Sequence, residues 1–400
     1  MNSPATSPIT VFLVFLRLGL TSFGGPVAHI GYFRTEFVTN RRWFDEQGFS
    51  DIVALCQFLP GPASSQTGIM IGLLRAGLPG ALAAWIGFTL PSALIMFGAA
   101  ALVARSGDLT GAVWFHGLKL VAVAVVAQAV LGMARSLCPD LKRTAIALTA
   151  AAAALLLPAA WAQVGIMVLA GIVGWLFVSH RALQEPGAPL PIPVSPRAGA
   201  SALIAFAFLL AGLPLLAAHV PAWHGITLIS SFFRSGALVF GGGHVVLPLL
   251  QAAVVPPGWI GNDKFLAGYG IAQAIPGPLF TFAVYLGAIM EPEPNGWRGG
   301  TICLVAIFLP SFLLVIGIVP FWNGLRRRQG LRAALDGINA AVVGLLLAAL
   351  YTPVWTSAVH SALDFGLALA AFVLLTICSS PPWLVVILGT IGYSVILRAF

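Results

Sequence analysis

The feature that most restricts this chain is its succession of apolar runs, each at or near the length a helix needs to cross a bilayer. Nine lie near residues 80–104, 111–134, 144–158, 161–179, 200–218, 299–322, 333–352, 362–378 and 382–398. A hydrocarbon core of about 30 Å takes about 20 apolar residues as helix. Four further segments, 9–38, 48–76, 226–252 and 263–290, are apolar but interrupted by glycine and proline. Charge is correspondingly scarce: Lys, Arg, Asp and Glu make up 8% of 400 residues, while 59% are hydrophobic. A soluble domain carries about 25% charged residues, and a water-facing surface cannot be covered with so few polar side chains. A soluble enzyme, a disordered scaffold and a nucleic-acid binder are excluded. The net charge of +8 does not reverse this, because the basic residues sit at the ends of apolar runs. The expected fold is an all-α polytopic protein of the cell (inner) membrane, with about 13 hydrophobic segments and the lipid bilayer as its solvent.

Lys and Arg set the expected orientation. Arg135, Lys142, Arg143, Arg181, Arg197 and the run Arg326, Arg327, Arg328 and Arg332 share one side by crossing count. The connections on the other side, 158–161, 220–225 and 352–360, hold no Lys or Arg. The basic side, the N-terminus and the Pro-rich linker 186–196 are therefore placed in the cytoplasm, and Phe400 outside. If each interrupted segment crosses once, the crossings total thirteen. If the segments are re-entrant hairpins, the parity survives but Arg41 and Arg42 change sides. Residues 9–16 do not resemble a cleaved signal, since no Lys or Arg precedes them and Arg17 interrupts them. Cys56, Cys138, Cys303 and Cys378 are far apart and without neighbouring His, which fits buried small hydrophobes and neither a metal site nor a disulfide framework.

The chain also repeats itself. Phe15, Arg17, Gly19, Phe23, Gly24 and Gly25 recur as Phe232, Arg234, Gly236, Phe240, Gly241 and Gly242, an offset of 217. Trp43, Phe49, Gln57, Pro60, Gly61 and Pro62 recur as Trp259, Phe265, Gln273, Pro276, Gly277 and Pro278, an offset of 216. Gly80, Pro91 and Ser92 match Gly299, Pro310 and Ser311, and Gly117 matches Gly337. This divides the chain into an N-terminal repeat (1–180), a linker with one extra helix (181–224) and a C-terminal repeat (225–400). The extra helix makes the count between the copies odd, so the second copy enters the membrane in the opposite sense. Inverted repeats with discontinuous helices are the architecture of many secondary transporters.

The interruptions are where chemistry is expected. Pro60-Gly61-Pro62 and Pro276-Gly277-Pro278 remove backbone donors and force helix breaks. Freed backbone groups persist inside a membrane only in protein or at a polar cavity. Helices restarting after Gly24-Gly25 and Gly241-Gly242 would present N–H groups and a positive dipole end to an anion. Arg17 and Arg234, each seven residues before a glycine break, would supply guanidinium charge; changing either to Gln should abolish anion movement. Gln57 and Gln273 precede the Pro-Gly-Pro breaks, and Ser64 and Ser65 follow the first, where the second copy has Phe280 and Thr281. His29, Lys119, His244 and Asp336 are candidates for proton or substrate coupling, with an Asp336 pair to one of the arginines as an alternative. No phosphate loop, metal-ligand cluster or nucleophile elbow is present, so neither metal nor cofactor is expected.

At these residues the sequence resembles the chromate ion transporter family in its long form, with two fused homologous domains. The stretches Thr21-Ser22-Phe23-Gly24-Gly25-Pro26-Val27-Ala28-His29 and Leu55-Cys56-Gln57-Phe58-Leu59-Pro60-Gly61-Pro62-Ala63-Ser64-Ser65-Gln66 carry the likeness, with Phe240-Gly241-Gly242-Gly243-His244 and Ile275-Pro276-Gly277-Pro278 in the second half. The resemblance implies a secondary transporter that exports chromate from the cytoplasm and confers resistance to it. Sulfate, a similar tetrahedral dianion, or another small oxyanion is the alternative substrate. A membrane-embedded enzyme acting on a lipid phosphate is the alternative of another class. The oligomeric state stays open, a homodimer being one option.

Overall fold

The computed structural model describes residues 6–105, 113–157, 160–177, 193–220, 223–240, 245–325 and 329–399. All regular structure among them is helical. In the first half, α1 (Pro8–Thr21) starts at a cap, with the Ser7 hydroxyl accepting the Thr10 N–H at 3.2 Å and Pro8 in the first turn. It is followed by α2 (Gly25–Arg34), which runs on as a wider turn to Asn40, then α3 (Glu46–Phe58) and α4 (Ala63–Arg105). Then come α5 (Val113–Leu137), α6 (Leu141–Leu156), α7 (Ala160–Phe177) and α8 (Pro196–His219). The second half holds α9 (His224–Ala237), α10 (Val246–Val254), α11 (Asn262–Ala274), α12 (Phe282–Ile289), α13 (Gly296–Ile318), α14 (Trp322–Leu325), α15 (Gln329–Ala349), α16 (Ala362–Thr376) and α17 (Pro382–Ala399). Five stretches are long and apolar enough to cross a membrane: Ala63–Arg105, His116–Leu137, Pro196–His219, Gly296–Phe321 and Ala333–Trp355. Shorter apolar helices accompany them.

The four interrupted segments do not cross; they fold back. In the first half, Thr6 N–H donates to the Arg75 carbonyl at 3.2 Å, and the Arg75 guanidinium lies 5.1 Å from the centre of the Trp43 ring. The chain therefore leaves from Thr6, returns by Trp43, leaves again and returns by Arg75, all at one level. Phe15 on the outgoing α1 packs on Phe33 and Phe37 of the returning arm, with ring centres 5.5 and 5.2 Å apart. The second half repeats the closure with Glu291 N–H donating to the Trp259 carbonyl at 3.1 Å and Trp259 against His224 at 4.5 Å. Tyr285 of α12 donates to the Lys264 carbonyl at the start of α11 (3.0 Å). A segment crossing once would hold such ends about 30 Å apart. Of the two alternatives the sequence leaves open, a crossing or a hairpin, all four segments take the hairpin.

After its second hairpin each half turns again into a long helix. In α4 the reversal sits at Ala76 and Gly77, the latter at φ +64°, and brings Gly72 and Gly80 backbone to backbone. In the second half Gly287 of α12 and Gly299 of α13 meet in the same way. The long helices α4 and α13 then run antiparallel. Trp85 lies against Phe308 and Phe312, 5.7 Å from each, while Phe97 reaches Gly300. The first pair of hairpins shares its core with Leu314 and Val315 of α13 and with Val319 just after it, and the second with Ala93, Met96 and Ala100 of α4.

The halves also exchange helices. Gly337 of α15 lies against Ala170 and Gly174 of α7, and Gly117 of α5 lies against Thr390 and Tyr393 of α17. The extra helix α8 packs by Gly199 on Gly317 and Pro320, and turns Ile204 (69% exposed) and Phe208 (72%) outward. Such a surface needs an apolar solvent. Cys56 and Cys303 are buried as expected, whereas Cys138 is half-buried and Cys378 exposed at a helix end. Arg181, the linker up to residue 192, Arg326, Arg327, Arg328 and Phe400 lie outside the described residues.

Candidate functional site

The tips of the hairpins meet, and they meet reciprocally. Gly61 N–H, in the Pro-Gly-Pro break of the first half, donates to the Val239 carbonyl of the second at 2.6 Å. Gly277 N–H, in the break of the second half, donates to the Ser22 carbonyl of the first at 3.0 Å. Gly61 and Gly277 are repeat-equivalent, as are Ser22 and Val239. Both glycines hold positive φ, +125° and +97°. A methyl group on Gly61 would strike the Gln66 amide and stand 3.1 Å from Ser311 Oγ; on Gly277 it would stand 2.8 Å from Ser92 Oγ. Each break is therefore seated against the serine that follows the proline of the other half's long helix.

Around this crossing the first half is polar. His29 is 1% exposed, with Nδ1 3.4 Å from Ser64 Oγ and its ring edge-on to Phe88 at 5.2 Å. Ser22, Ser64, Ser65, Gln66, Thr67, Thr89, Ser92 and Ser311 are all buried. Some are spent locally: Gln66 Nε2 donates to the Pro60 carbonyl (2.7 Å), Thr67 to Ala63 (2.8 Å) and Ser92 to Thr89 (3.0 Å). Ser22 Oγ, His29 Nε2, Ser65 Oγ, Gln66 Oε1, Thr89 Oγ1 and Ser311 Oγ have no hydrogen-bond partner among the described residues. A buried polar group left so costs roughly 1–3 kcal/mol, which makes these groups candidates for holding a polar guest. The first turns of α2 and α4, which open at Gly25 and Ala63, add N–H groups that no helix satisfies internally.

The other expected residues lie elsewhere. Arg17 is exposed on the outer face of α1 between Leu13 (57%) and Leu20 (55%), and Arg234 is half-buried on α9. Among the described residues no hydrogen bond or ion pair joins either to the tip serines. Gln57 is exposed on α3, and Gln273 is bonded to Tyr269. Lys119 Nζ pairs with Asp263 Oδ1 at 3.0 Å and with the Ser357 carbonyl at 3.3 Å. Asp336 pairs with Arg143 at 2.8 Å and with neither Arg17 nor Arg234. Gly24 and Gly25 hold φ of +97° and +78° at the first tip; Gly241, Gly242, Gly243 and His244 lie outside the described residues. No group of three His, Cys, Asp or Glu among the described residues is placed to hold a metal ion. Ser22, Gln66, Thr89, Ser92 and Ser311 were not singled out as site residues by the sequence. Ser22 and Gln66 lie in the stretches that carry the family resemblance, and Ser92 and Ser311 in the Pro-Ser match of the repeat, but neither signal marks the contact, and nothing pointed to Thr89.

The comparisons with known proteins follow the same two halves. The chromate transporter family model matches residues 9–175 and 226–393. A chromate transport protein of Pseudomonas aeruginosa is 30% identical over 349 residues, 86% of this chain and 80% of that protein. A chromate transport protein of Cupriavidus metallidurans is 26% identical over 381 residues, 93% of this chain and 88% of that one. The uncharacterized transporter YwrA of Bacillus subtilis is 32% identical over 124 residues, 30% of this chain and 67% of that protein. No solved structure matches. The matched halves, with a break of each seated in the other, place this multi-pass membrane protein among transporters and not enzymes, and the chain belongs to the chromate transporter family.

Proposed function

We propose that this protein moves chromate out of the cytoplasm across the cell membrane as a secondary transporter, and so confers chromate resistance. The observation that carries this is the reciprocal seating of the two breaks, Gly61 on Val239 and Gly277 on Ser22. It supports two inverted repeats whose hairpins enter from opposite faces and touch near the midplane, where transporters of this architecture bind substrate. The orientation follows from the basic residues. With hairpins in place of crossings, Arg34, Arg41, Arg42 and Arg75 all stand at the cytoplasmic base of the first half, on the side of Thr6.

The anion sheds water at the crossing and takes hydrogen bonds from the tip residues and the first turns of α2 and α4. The two cross-half hydrogen bonds close the site from either side. Releasing the second-half tip opens it outward and releasing the first-half tip opens it inward. Arg17 and Arg234 stand before the tips on α1 and α9 and attract the anion toward them; an arginine at such depth otherwise costs several kcal/mol. Reconstitution of the pure protein in liposomes tests the reading. Labelled chromate is expected to accumulate under an imposed pH or voltage gradient, with sulfate slower. Equal or faster sulfate movement would make sulfate the substrate, and movement of neither would end the proposal.

A further inference from the structure

We infer that each chain binds a single oxyanion, in an asymmetric site without an arginine, formed by Ser22, His29, Ser64 and Ser65 of the first half and Ser311 reaching over from α13. This rests on the transport reading above and names the groups that hold the substrate.

The asymmetry is visible by carrying each residue to its repeat equivalent. His29 becomes Val246, Ser64 becomes Phe280, Ser65 becomes Thr281 and Gln66 becomes Phe282. Val246, Phe280 and Phe282 are buried in the core, and the Thr281 hydroxyl is already donated to the Pro278 carbonyl at 2.8 Å. The serines behind the breaks differ in the same sense. Ser92 Oγ is donated to the Thr89 carbonyl, whereas Ser311 Oγ is buried and unpartnered beside Gly61. Among the described residues, one side of the crossing thus offers hydroxyl and imidazole groups without a bond to make, and the other offers apolar side chains; His244 lies outside them.

The chemistry selects the guest. Ser22 Oγ, Ser65 Oγ and Ser311 Oγ can each donate one hydrogen bond, and so can His29 Nε2 in the tautomer whose Nδ1 accepts from Ser64. A tetrahedral oxyanion presents acceptors in four directions and so can use them together. A cation finds no carboxylate here: Glu36, the buried acid of the first hairpin, is held by Arg41 at 2.7 Å. A carried ligand must also leave, and neutral donors hold a dianion less tightly than an arginine buried in low dielectric would.

Equilibrium dialysis of the purified full-length protein against labelled chromate and, separately, labelled sulfate tests this. One anion is expected per chain. Ser65→Ala and Ser311→Ala are each expected to weaken binding about tenfold or more, the effect of a lost hydrogen bond to a charged group. Thr281→Ala, at the repeat-equivalent position, should change it by less than about twofold, with an unaltered gel-filtration profile showing that each variant is folded. Two anions per chain, or Thr281→Ala weakening binding as much as Ser65→Ala, would overturn the single site. Tight binding by the wild type that both serine variants retain would overturn the assignment of residues while leaving transport standing. Binding of neither anion by the wild type would overturn the transport reading and this site with it.

Discussion

Gly277 has no room for a methyl group. A Cβ there would stand 2.8 Å from Ser92 Oγ, 3.2 Å from Ser92 Cβ and 3.3 Å from the Phe88 carbonyl, and the backbone sits at φ +97°. Gly258 shares the conformation, at φ +77°, but has nothing within 4 Å. The two positions separate strain from crowding. Gly258→Ala is expected to cost on the order of 1 kcal/mol through its backbone alone. Gly277→Ala should cost roughly 2–4 kcal/mol, the strain plus an overpacked contact, and should also lose anion uptake because the tip can no longer seat. Thermal melting followed by tryptophan fluorescence reads the first effect and liposome uptake the second. Equal melting temperatures for the two variants would show that the seating of Gly277 on Ser92 contributes nothing.

At the scale of elements, the halves are tied by two hydrogen-bonded pairs in which acid and base change places. His116 of α5 meets Asp364 of α16 at 3.0 Å, and Asp336 of α15 meets Arg143 of α6 at 2.8 Å. His116 and Asp336 are equivalent positions in the repeat, and Arg143 and Asp364 each stand third after the capping residue of their helix, Asp140 and Ser361. Each pair joins a helix of one half to a helix of the other, with acid and base exchanged. Asp336→Asn would leave the Arg143 guanidinium, 14% exposed, with Asp140 at 3.4 Å as its acidic partner among the described residues. The expected loss is about 1–2 kcal/mol, below the 3–5 of a fully buried pair because Asp336 is 40% exposed. The reversed double variant Asp336→Arg, Arg143→Asp should recover at least half of it, because the other half already accommodates that polarity; no recovery in a melting experiment would show that the equivalence is only formal. The partners themselves could not be read from the chain. Asp336 and Arg143 are 193 residues apart, and Lys119 and Asp263 are 144 apart. What the sequence does carry is local: the nine uninterrupted runs all appear as helices, and the breaks fall at the glycines and prolines. It does not say which way a chain leaves a Pro-Gly-Pro. Nor does it say which glutamine faces the site. Phe49, Ile52, Leu55 and Cys56 are the buried face of α3, so Gln57 points away, while Gln66, on the other arm, is buried at the tip.

For the whole molecule, the fold-back decides which charges share a side of the membrane. With one crossing per segment, Arg41 and Arg42 would stand outside, away from the cytoplasmic group of Arg135, Lys142, Arg143, Arg181 and Arg197. As hairpins, the first half gathers Arg34, Arg41, Arg42 and Arg75 at its base, while the base of the second gathers Asp263, Glu291 and Glu293 with Lys264 and Arg298. A cytoplasmic first base and an external second base satisfy the rule with the same helices that place the tips at the midplane. Single cysteines make this testable once Cys56, Cys138, Cys303 and Cys378 are replaced. Gln47 and Asn295 are exposed, one at each base. In intact cells a membrane-impermeant maleimide should label Asn295→Cys and leave Gln47→Cys unmodified, and inside-out vesicles should reverse the pattern. Labelling of Gln47→Cys from outside would mean that residues 9–38 cross the bilayer after all. The first-half tips would then not approach from the cytoplasm, and the two faces of the transporter could not be opened by its two halves in turn.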